Sequence, residues 1–124
     1  MSRVNPSYDE LREMLRSIPE GPVAMLNLMR MKPGRDPEKF IVELAALNAP
    51  IVKRVQAEIV YSGNAGSDLI SEETWDLVSL VKYPNFAAFV ELATDPEWAR
   101  TAGTLREESL EAAKLVLTYP VVAA

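Results

Sequence analysis

Residues Val23–Met29 form a run that is apolar on both sides of an extended strand. Alternate residues of a strand point to opposite faces, so Met25 and Met29 share one face and Leu26 and Leu28 the other. Turn-forming residues bound the run, which is too short for a typical helix. A strand of this kind must be covered on both faces. This excludes a sheet with one face left in water.

The chain has 124 residues, enough for one domain with one core. We therefore expect residues 1–124 to form a single domain, with residues 1–19 as an N-terminal helical extension. Ser7-Tyr8-Asp9-Glu10 has the S-x-x-E form of a capping box. It predicts a short helix that runs to about Ser17.

Two further helix starts share one sequence pattern. Asp36-Pro37-Glu38 and Asp95-Pro96-Glu97 each place an N-cap Asp before a proline and an acid. The first predicts a long helix with a kink near residues 46–50, because Pro50 removes a backbone hydrogen bond. After the second, Gly103 should end the helix. Thr104-Leu105-Arg106-Glu107 should then cap a last helix that runs to about Ala113.

The remaining strands are predicted at Glu58–Ser62, Thr74–Tyr83 and Leu115–Tyr119, with a helix from Phe86 after the second of them. Two β-α-β units joined through a hairpin give β-α-β-β-α-β, the ferredoxin-like arrangement. The predicted class is α+β, a four-stranded antiparallel sheet with helices on one face, an N-terminal helix and a split final helix. Because the first strand is apolar on both faces, we expect two copies to pack sheet against sheet as a homodimer.

Two residue types are missing altogether. Without Cys there is no disulfide, thiolate nucleophile or Cys-ligated metal, and without His there is no imidazole base, catalytic triad or His-ligated haem. No carboxylate cluster has the spacing of a metal site, so we expect neither a metal nor a cofactor. The net charge of −5 argues against a nucleic-acid partner.

The membrane and compartment predictions rest on apolar segments. The longest one, Pro22–Met29, is far short of the ~20 residues that span a bilayer as a helix. The N-terminal residues lack the apolar core of a secretory signal. We therefore expect a cytoplasmic protein without a membrane partner.

The order of elements carries short motifs, namely Met25-Leu26-Asn27-Leu28, Trp75-Asp76, Tyr83-Pro84 and, in the last helix, Arg106. With Tyr61-Ser62-Gly63, they resemble the dimeric α/β-barrel superfamily, most of all an uncharacterised bacterial branch of it, over about residues 20–120. Related groups are antibiotic-biosynthesis monooxygenases, muconolactone isomerases, EthD-like and YCII-like proteins and haem-binding chlorite dismutases. The resemblance implies a pocket between the sheet and the helices of each subunit. The absence of His argues against the haem-binding and YCII-like activities.

The first strand supplies three candidate site residues. Asn27 is an amide within an apolar strand, and a buried amide without a partner costs ~1–3 kcal/mol. It could orient a substrate carbonyl, framed by Met25 and Met29, whose thioethers suit an irregular cavity. The alternative is an ordinary core Asn bonded to backbone or water.

The third predicted strand supplies three more. Trp75 and Tyr83 share one face of it and could bracket an aromatic ligand, although large aromatics in strands are more often core or interface residues. Asp76 is the best available carboxylate base, since burial among apolar neighbours would raise its pKa. A solvated or interface pair with Lys82 is the alternative.

Two candidates remain. Tyr61 could donate to an oxyanion or simply end the barrel with its hydroxyl in water. Arg106 matches a position of the resembled family and is the best cation for a carboxylate or enolate ligand. Its alternative is a surface pair with Glu107 or Glu111.

Two functions follow from this set. The first is a cofactor-independent isomerase or monooxygenase on an apolar, carbonyl-bearing or aromatic metabolite. In it, Asn27 and Arg106 hold an oxyanion and Asp76 or a Tyr moves a proton. The second is a non-catalytic dimer that binds a ligand or serves as a scaffold. Both place a small molecule, if any, between sheet and helices.

Overall fold

A computed structural model describes residues 3–18 and 20–121. In chain order the elements are α1 (Tyr8–Met14), β1 (Val23–Met31), α2 (Pro37–Arg54), β2 (Glu58–Asn64), β3 (Leu77–Tyr83), α3 (Phe86–Ala93), α4 (Pro96–Trp98), a π-helical turn (Ala99–Gly103), α5 (Thr104–Ser109) and β4 (Leu110–Thr118).

The four strands form one antiparallel sheet in the order β2-β3-β1-β4. β1 lies in the middle, paired with β3 on one side and β4 on the other. The predicted ferredoxin-like β-α-β-β-α-β order, the N-terminal helix and the division of the final helical segment are confirmed.

The helices cover only one of the two faces of the sheet. Val23, Met25, Met29 and Met31 of β1 are buried, whereas the residues that alternate with them are partly exposed or polar. The buried set packs with helical residues in two clusters, one centred on Phe86 and Phe89 of α3 and the other on Phe40 and Leu44 of α2. The helices therefore cover this face, and the face that carries Leu26 and Leu28 is open.

Three of the predicted helix starts are capped by side-chain hydrogen bonds. The Ser7 hydroxyl accepts the Glu10 N–H, and the carboxylates of Asp36 and Asp95 accept the N–H groups of Glu38 and Trp98. α2 continues through Pro50 as one helix, as predicted.

Several predicted ends of elements are wrong. α1 ends at Met14 rather than Ser17. β3 begins at Leu77 rather than Thr74, because Asp76 leaves the β3 register and its N–H donates to the Met29 carbonyl. β4 begins five residues before Leu115, where the Leu110 backbone becomes extended and pairs with Met31.

The segment Pro96–Ser109 is divided by a π-helical turn and not by a glycine cap. Gly103 is helical and buried. An added Cβ would lie 3.3 Å from Trp98 Cζ3, so there is little room here for a larger side chain. Thr104 caps nothing, since its hydroxyl donates to the Ala99 carbonyl one turn back. The predicted capping box at Thr104 is therefore wrong, as is the predicted helix end at Ala113.

No helix in the described part of the chain is long and apolar enough to cross a membrane.

Candidate functional site

A cavity of about 120 Å³ lies between the helix-covered face of the sheet and the helices. Its helical wall is mostly apolar and includes Ile41 and Leu44 of α2 and Phe89 and Leu92 of α3. The floor of the cavity is formed by the sheet. Seven of its lining residues carry polar groups, and they are Asn27, Asn48, Ser62, Ser79, Tyr83, Trp98 and Arg106.

The cavity opens at one edge of the molecule. Three of its lining residues, Ala45 of α2 and Ile59 and Ser62 of β2, are exposed to solvent. Because β2 is an edge strand, the opening lies between this edge and α2.

Arg106 projects from α5 into the interior and is only 4% exposed. Its Nε donates to Asn5 Oδ1 and its Nη2 to the Val4 carbonyl, both at 2.7 Å. Its Nη1 lies 3.6 Å from the sulfur of Met29. Three of the five guanidinium N–H groups are thus engaged by neutral atoms, and two remain.

No carboxylate neutralises this guanidinium within residues 3–18 and 20–121. Desolvation by burial lowers the pKa of Arg106 from 12.5 to about 10, and the phenol of Tyr83 opposes this slightly. Arg106 is still a cation at neutral pH. Buried charges in proteins are normally paired, and an anion in the cavity could supply the counter-ion that the described residues do not give Arg106.

Asn27 lies on the cavity floor, and its Oδ1 is buried without a hydrogen-bond partner in the described part of the chain. In the register of the sheet, Asn27 pairs with Ser79, and Ser79 pairs with Ser62 on the other side. We call these three residues the polar row. It crosses the helix-covered face from the opening at β2 to the central strand β1.

Tyr83 stands on the same face, with its ring edge-on to Phe89 at 5.3 Å between centroids. Burial raises the pKa of its hydroxyl to about 12, although the charge of Arg106 acts in the opposite direction. At neutral pH this phenol keeps its proton. It can donate a hydrogen bond into the cavity but is a poor general base.

The structure brings together four of the residues expected from the sequence. Met25, Asn27, Tyr83 and Arg106 all line the cavity. Met29 is fully buried beneath them and contacts Arg106, so it supports the guanidinium rather than lining the cavity.

Three other candidates lie elsewhere. The Asp76 carboxylate accepts the Met31 N–H at 2.7 Å, and the side chain does not border the cavity. Trp75 lies between Arg30 and Lys114, whose cationic groups are 5.1 and 5.6 Å from its ring centroids.

The position of Trp75 contradicts the predicted pairing with Tyr83 on one face. Arg30 and Lys114 belong to the open face of the sheet, because β3 begins only at Leu77 and the alternation does not extend back to Trp75. Tyr61 is 58% exposed and pairs with Leu80 of the same open face, beyond a bulge in β2.

Sequence reasoning missed five polar or aromatic lining residues, namely Asn48, Ser62, Ser79, Phe89 and Trp98. Trp98 Nε1 donates to Asn48 Oδ1 at 2.8 Å, a contact across 50 positions that no local pattern reveals. Ser79 shares a strand face with Tyr83, so that alternation was a usable signal. Ser62 could have followed from the hairpin register.

No group of three or more acidic residues that could hold a metal ion occurs among the described residues. The polar lining of the cavity consists of amides, hydroxyls, one indole N–H and one guanidinium, without any carboxylate in the described ranges. These are groups that bind an organic anion rather than a metal cation.

Comparison with solved structures places the chain among proteins of the same architecture. A protein of unknown function from Rhodopseudomonas palustris, RPA0582, matches with a TM-score of 0.81 and 27% identity, over 99% of this chain and all of that one. A dabb family protein with a ferredoxin-like fold from Mesorhizobium loti matches with a TM-score of 0.59 and 11% identity, over 82% and 99% of the two chains. Like that protein, the chain has a ferredoxin-like fold.

One further protein with a ferredoxin-like fold is described as dimeric. It is a protein of unknown function from Bacteroides fragilis, with a TM-score of 0.51 and 19% identity over 80% of this chain and 97% of its own. No protein-family model matches the chain, and neither does any curated protein.

Proposed function

We propose that this protein binds a small, largely apolar carboxylic acid in the cavity, with the carboxylate on Arg106. The observation that carries the proposal is the buried guanidinium, which has two free N–H groups and no acidic partner in the described ranges. Guanidinium and carboxylate match in plane and charge, so an acid would supply the missing counter-ion.

The rest of the cavity supports an apolar body on this acid. The helical wall is formed mostly by aliphatic and aromatic side chains, including Leu44, Phe89 and Leu92. A volume of about 120 Å³ is comparable with an engineered protein cavity of ~150 Å³ that binds benzene. A single ring or a short branched chain is therefore the expected size.

Binding without proton transfer is favoured over catalysis. Asp76, the carboxylate expected to act as a base, is engaged by the Met31 N–H away from the cavity. Tyr83 holds its proton until about pH 12. Since Asp76 lies away from the cavity and Tyr83 keeps its proton at neutral pH, the described lining has donors for an oxyanion but no general base.

A cofactor-independent isomerase or monooxygenase is the second candidate. The observation in its favour is that Asn27, Tyr83 and Arg106 border one cavity, where they could stabilise a developing oxyanion. The substrate would then have to supply its own base. An Asp76→Asn variant with unchanged turnover would agree with that arrangement.

The test of the proposed binding is calorimetric titration with benzoate, using its neutral isostere benzamide for comparison. We expect saturable binding of benzoate and an affinity at least tenfold weaker for benzamide. Arg106→Met should lower the benzoate affinity about 10- to 100-fold, as expected for loss of a charged hydrogen bond of ~1.5–3 kcal/mol.

The matched control is Arg100→Met, because Arg100 lies on the same helical segment with its side chain exposed to solvent. It should leave the benzoate affinity unchanged. Equal affinities for benzoate and benzamide, or equal benzoate binding by the Arg106→Met and wild-type proteins, would refute the proposal.

The partner proposed for the open face is a second copy of this chain. This face presents Leu26, Leu28, Val78 and Leu80, none of which belongs to a core cluster of the described residues. A contiguous apolar patch of this kind is typical of an interface. The dimeric Bacteroides fragilis protein of the same fold supports the homodimer.

A further inference from the structure

We infer that the ligand carries a hydroxyl or N–H group in addition to its carboxylate, and that Asn27 on the polar row selects for it. This inference rests on the proposed function, since the carboxylate on Arg106 sets the position of the ligand. It assigns a hydroxylated ring acid, rather than a plain hydrocarbon acid, as the class that fits the cavity.

The first ground is the unpartnered oxygen of Asn27. A carbonyl oxygen that is buried and without a donor destabilises the protein, and such groups in native structures call for an explanation. Arg106, Tyr83 and the two serines offer donors to a ligand, whereas Asn27 Oδ1 can only accept. A ligand group that supplies the missing partner of Oδ1 is therefore a hydrogen-bond donor.

The second ground is the distance between the two anchors. Arg106 contacts Met29, and Asn27 lies two residues away on the same face of β1. Two residues of a strand span about 7 Å. One ring can therefore place a carboxylate at Arg106 and a hydroxyl near Asn27.

The third ground is the contrast between the floor and the helical wall. The polar row places Ser62, Ser79 and Asn27 on three neighbouring strands, which spans about 10 Å at the usual strand spacing. The opposite wall is apolar at Leu44 and Phe89, with Asn48 and Arg106 as its polar residues. A ligand with one polar edge and one apolar face matches both surfaces, and a wholly apolar body would leave the row unsatisfied.

A competing explanation is that water alone satisfies Asn27. The opening beside Ser62 would admit it, and an apolar acid could then bind beneath that water. The two explanations differ in one respect, because only direct recognition makes the affinity depend jointly on the ligand hydroxyl and on Asn27.

The test compares benzoate with 2-, 3- and 4-hydroxybenzoate by calorimetric titration of the wild-type protein and two variants, Asn27→Leu and Ser79→Ala. We expect at least one hydroxybenzoate to bind the wild-type protein about tenfold more tightly than benzoate. In Asn27→Leu this gain should shrink to less than twofold while benzoate itself still binds. Leucine fills the site with an apolar group of similar size, so this variant should fold.

Ser79→Ala provides a second variant, since Ser79 lies directly opposite Asn27. It should reduce the gain only partly. If all three hydroxybenzoates bind no better than benzoate, or if the gain persists in Asn27→Leu, the inference is wrong while the carboxylate site stands. If neither benzoate nor any hydroxybenzoate binds the wild-type protein, both the inference and the proposed function are wrong.

Discussion

At the scale of single residues, Arg106 stands out because its charge is buried without an ionic partner in the described ranges. A pKa lowered from 12.5 to about 10 corresponds to a cost on the order of 3 kcal/mol for the charged form. Hydrogen bonds to Asn5 and Val4 offset part of this cost. A residue that a protein keeps at such a cost is typical of a binding site.

Replacement of Arg106 by Met should therefore leave the free energy of unfolding unchanged or raise it by about 1–3 kcal/mol, because an apolar side chain removes a desolvated charge. Urea unfolding of the two proteins without ligand provides the measurement. A loss of more than about 2 kcal/mol would show instead that the guanidinium is mainly a structural anchor for residues 4 and 5.

Tyr83 makes stability depend on alkaline pH. Its pKa is raised from 10 to about 12 in the folded protein, so between these values the unfolded chain loses the phenolic proton while the folded protein keeps it. The stabilisation is fully present below pH 10 and is lost as the pH rises toward 12. The loss amounts to roughly 2–3 kcal/mol.

Tyr83→Phe removes this titration and keeps the ring. Between pH 9 and pH 12 the variant should therefore lose less stability than the wild-type protein by about that amount. The titration of Arg106 has the opposite effect, because its lowered pKa makes stability rise with pH over the same range. Both proteins contain Arg106, so the comparison isolates the titration of Tyr83. Parallel pH dependences in urea unfolding would contradict the assignment.

A cavity residue could be predicted from the sequence where its position in a strand and the chemistry of its side chain both indicated a site. Asn27 stood out as an amide in an apolar strand, and Arg106 came from the family resemblance. Asn48 and Trp98 could not be predicted, because they meet through the packing of α2 against α4. The lack of a partner for Asn27 is likewise a property of the packed sheet.

At the scale of elements, Asp76 shows how one side chain determines where a strand begins. Its carboxylate accepts the Met31 N–H, and its own N–H donates to the Met29 carbonyl. These two hydrogen bonds extend the contact between β1 and β3 beyond their last paired residues, Met29 and Leu77. The role of Asp76 in this geometry is structural.

Asp76→Ala should lower the free energy of unfolding by about 1–3 kcal/mol, since the Met31 N–H loses its acceptor. Asp76→Asn can still accept that hydrogen bond and should lose less. Benzoate affinity should stay within twofold of wild type in both variants. A large loss of affinity in a stably folded Asp76→Asn protein would show that this carboxylate contributes to benzoate binding.

The elements that were predicted well have strong local signals. The Asp-Pro-Glu starts at Asp36 and Asp95 form the expected caps, and the apolar run at Val23 forms the central strand. Failures arose where tertiary contacts override the local pattern. Thr104 has the sequence of a cap, yet buried Gly103 keeps the chain helical through a π-helical turn.

At the scale of the whole molecule, we propose that a second copy of the chain covers the open sheet face. We expect light scattering after size exclusion to give a mass about twice 13.8 kDa. Leu26→Glu places a charge in the centre of that face and should shift the protein toward the monomer mass. Val42→Glu, on the exposed side of α2, is the matched control. A wild-type mass of 13.8 kDa at micromolar concentration would contradict the homodimer.

The central claim is that the cavity receives a carboxylate at Arg106, and a crystal structure of the protein with benzoate tests it most directly. We expect benzoate in the cavity, with a carboxylate oxygen at about 3 Å from a guanidinium nitrogen and the ring against Phe89. Benzoate bound elsewhere, or an empty cavity with Arg106 still held only by Val4 and Asn5 at saturating benzoate, would contradict it.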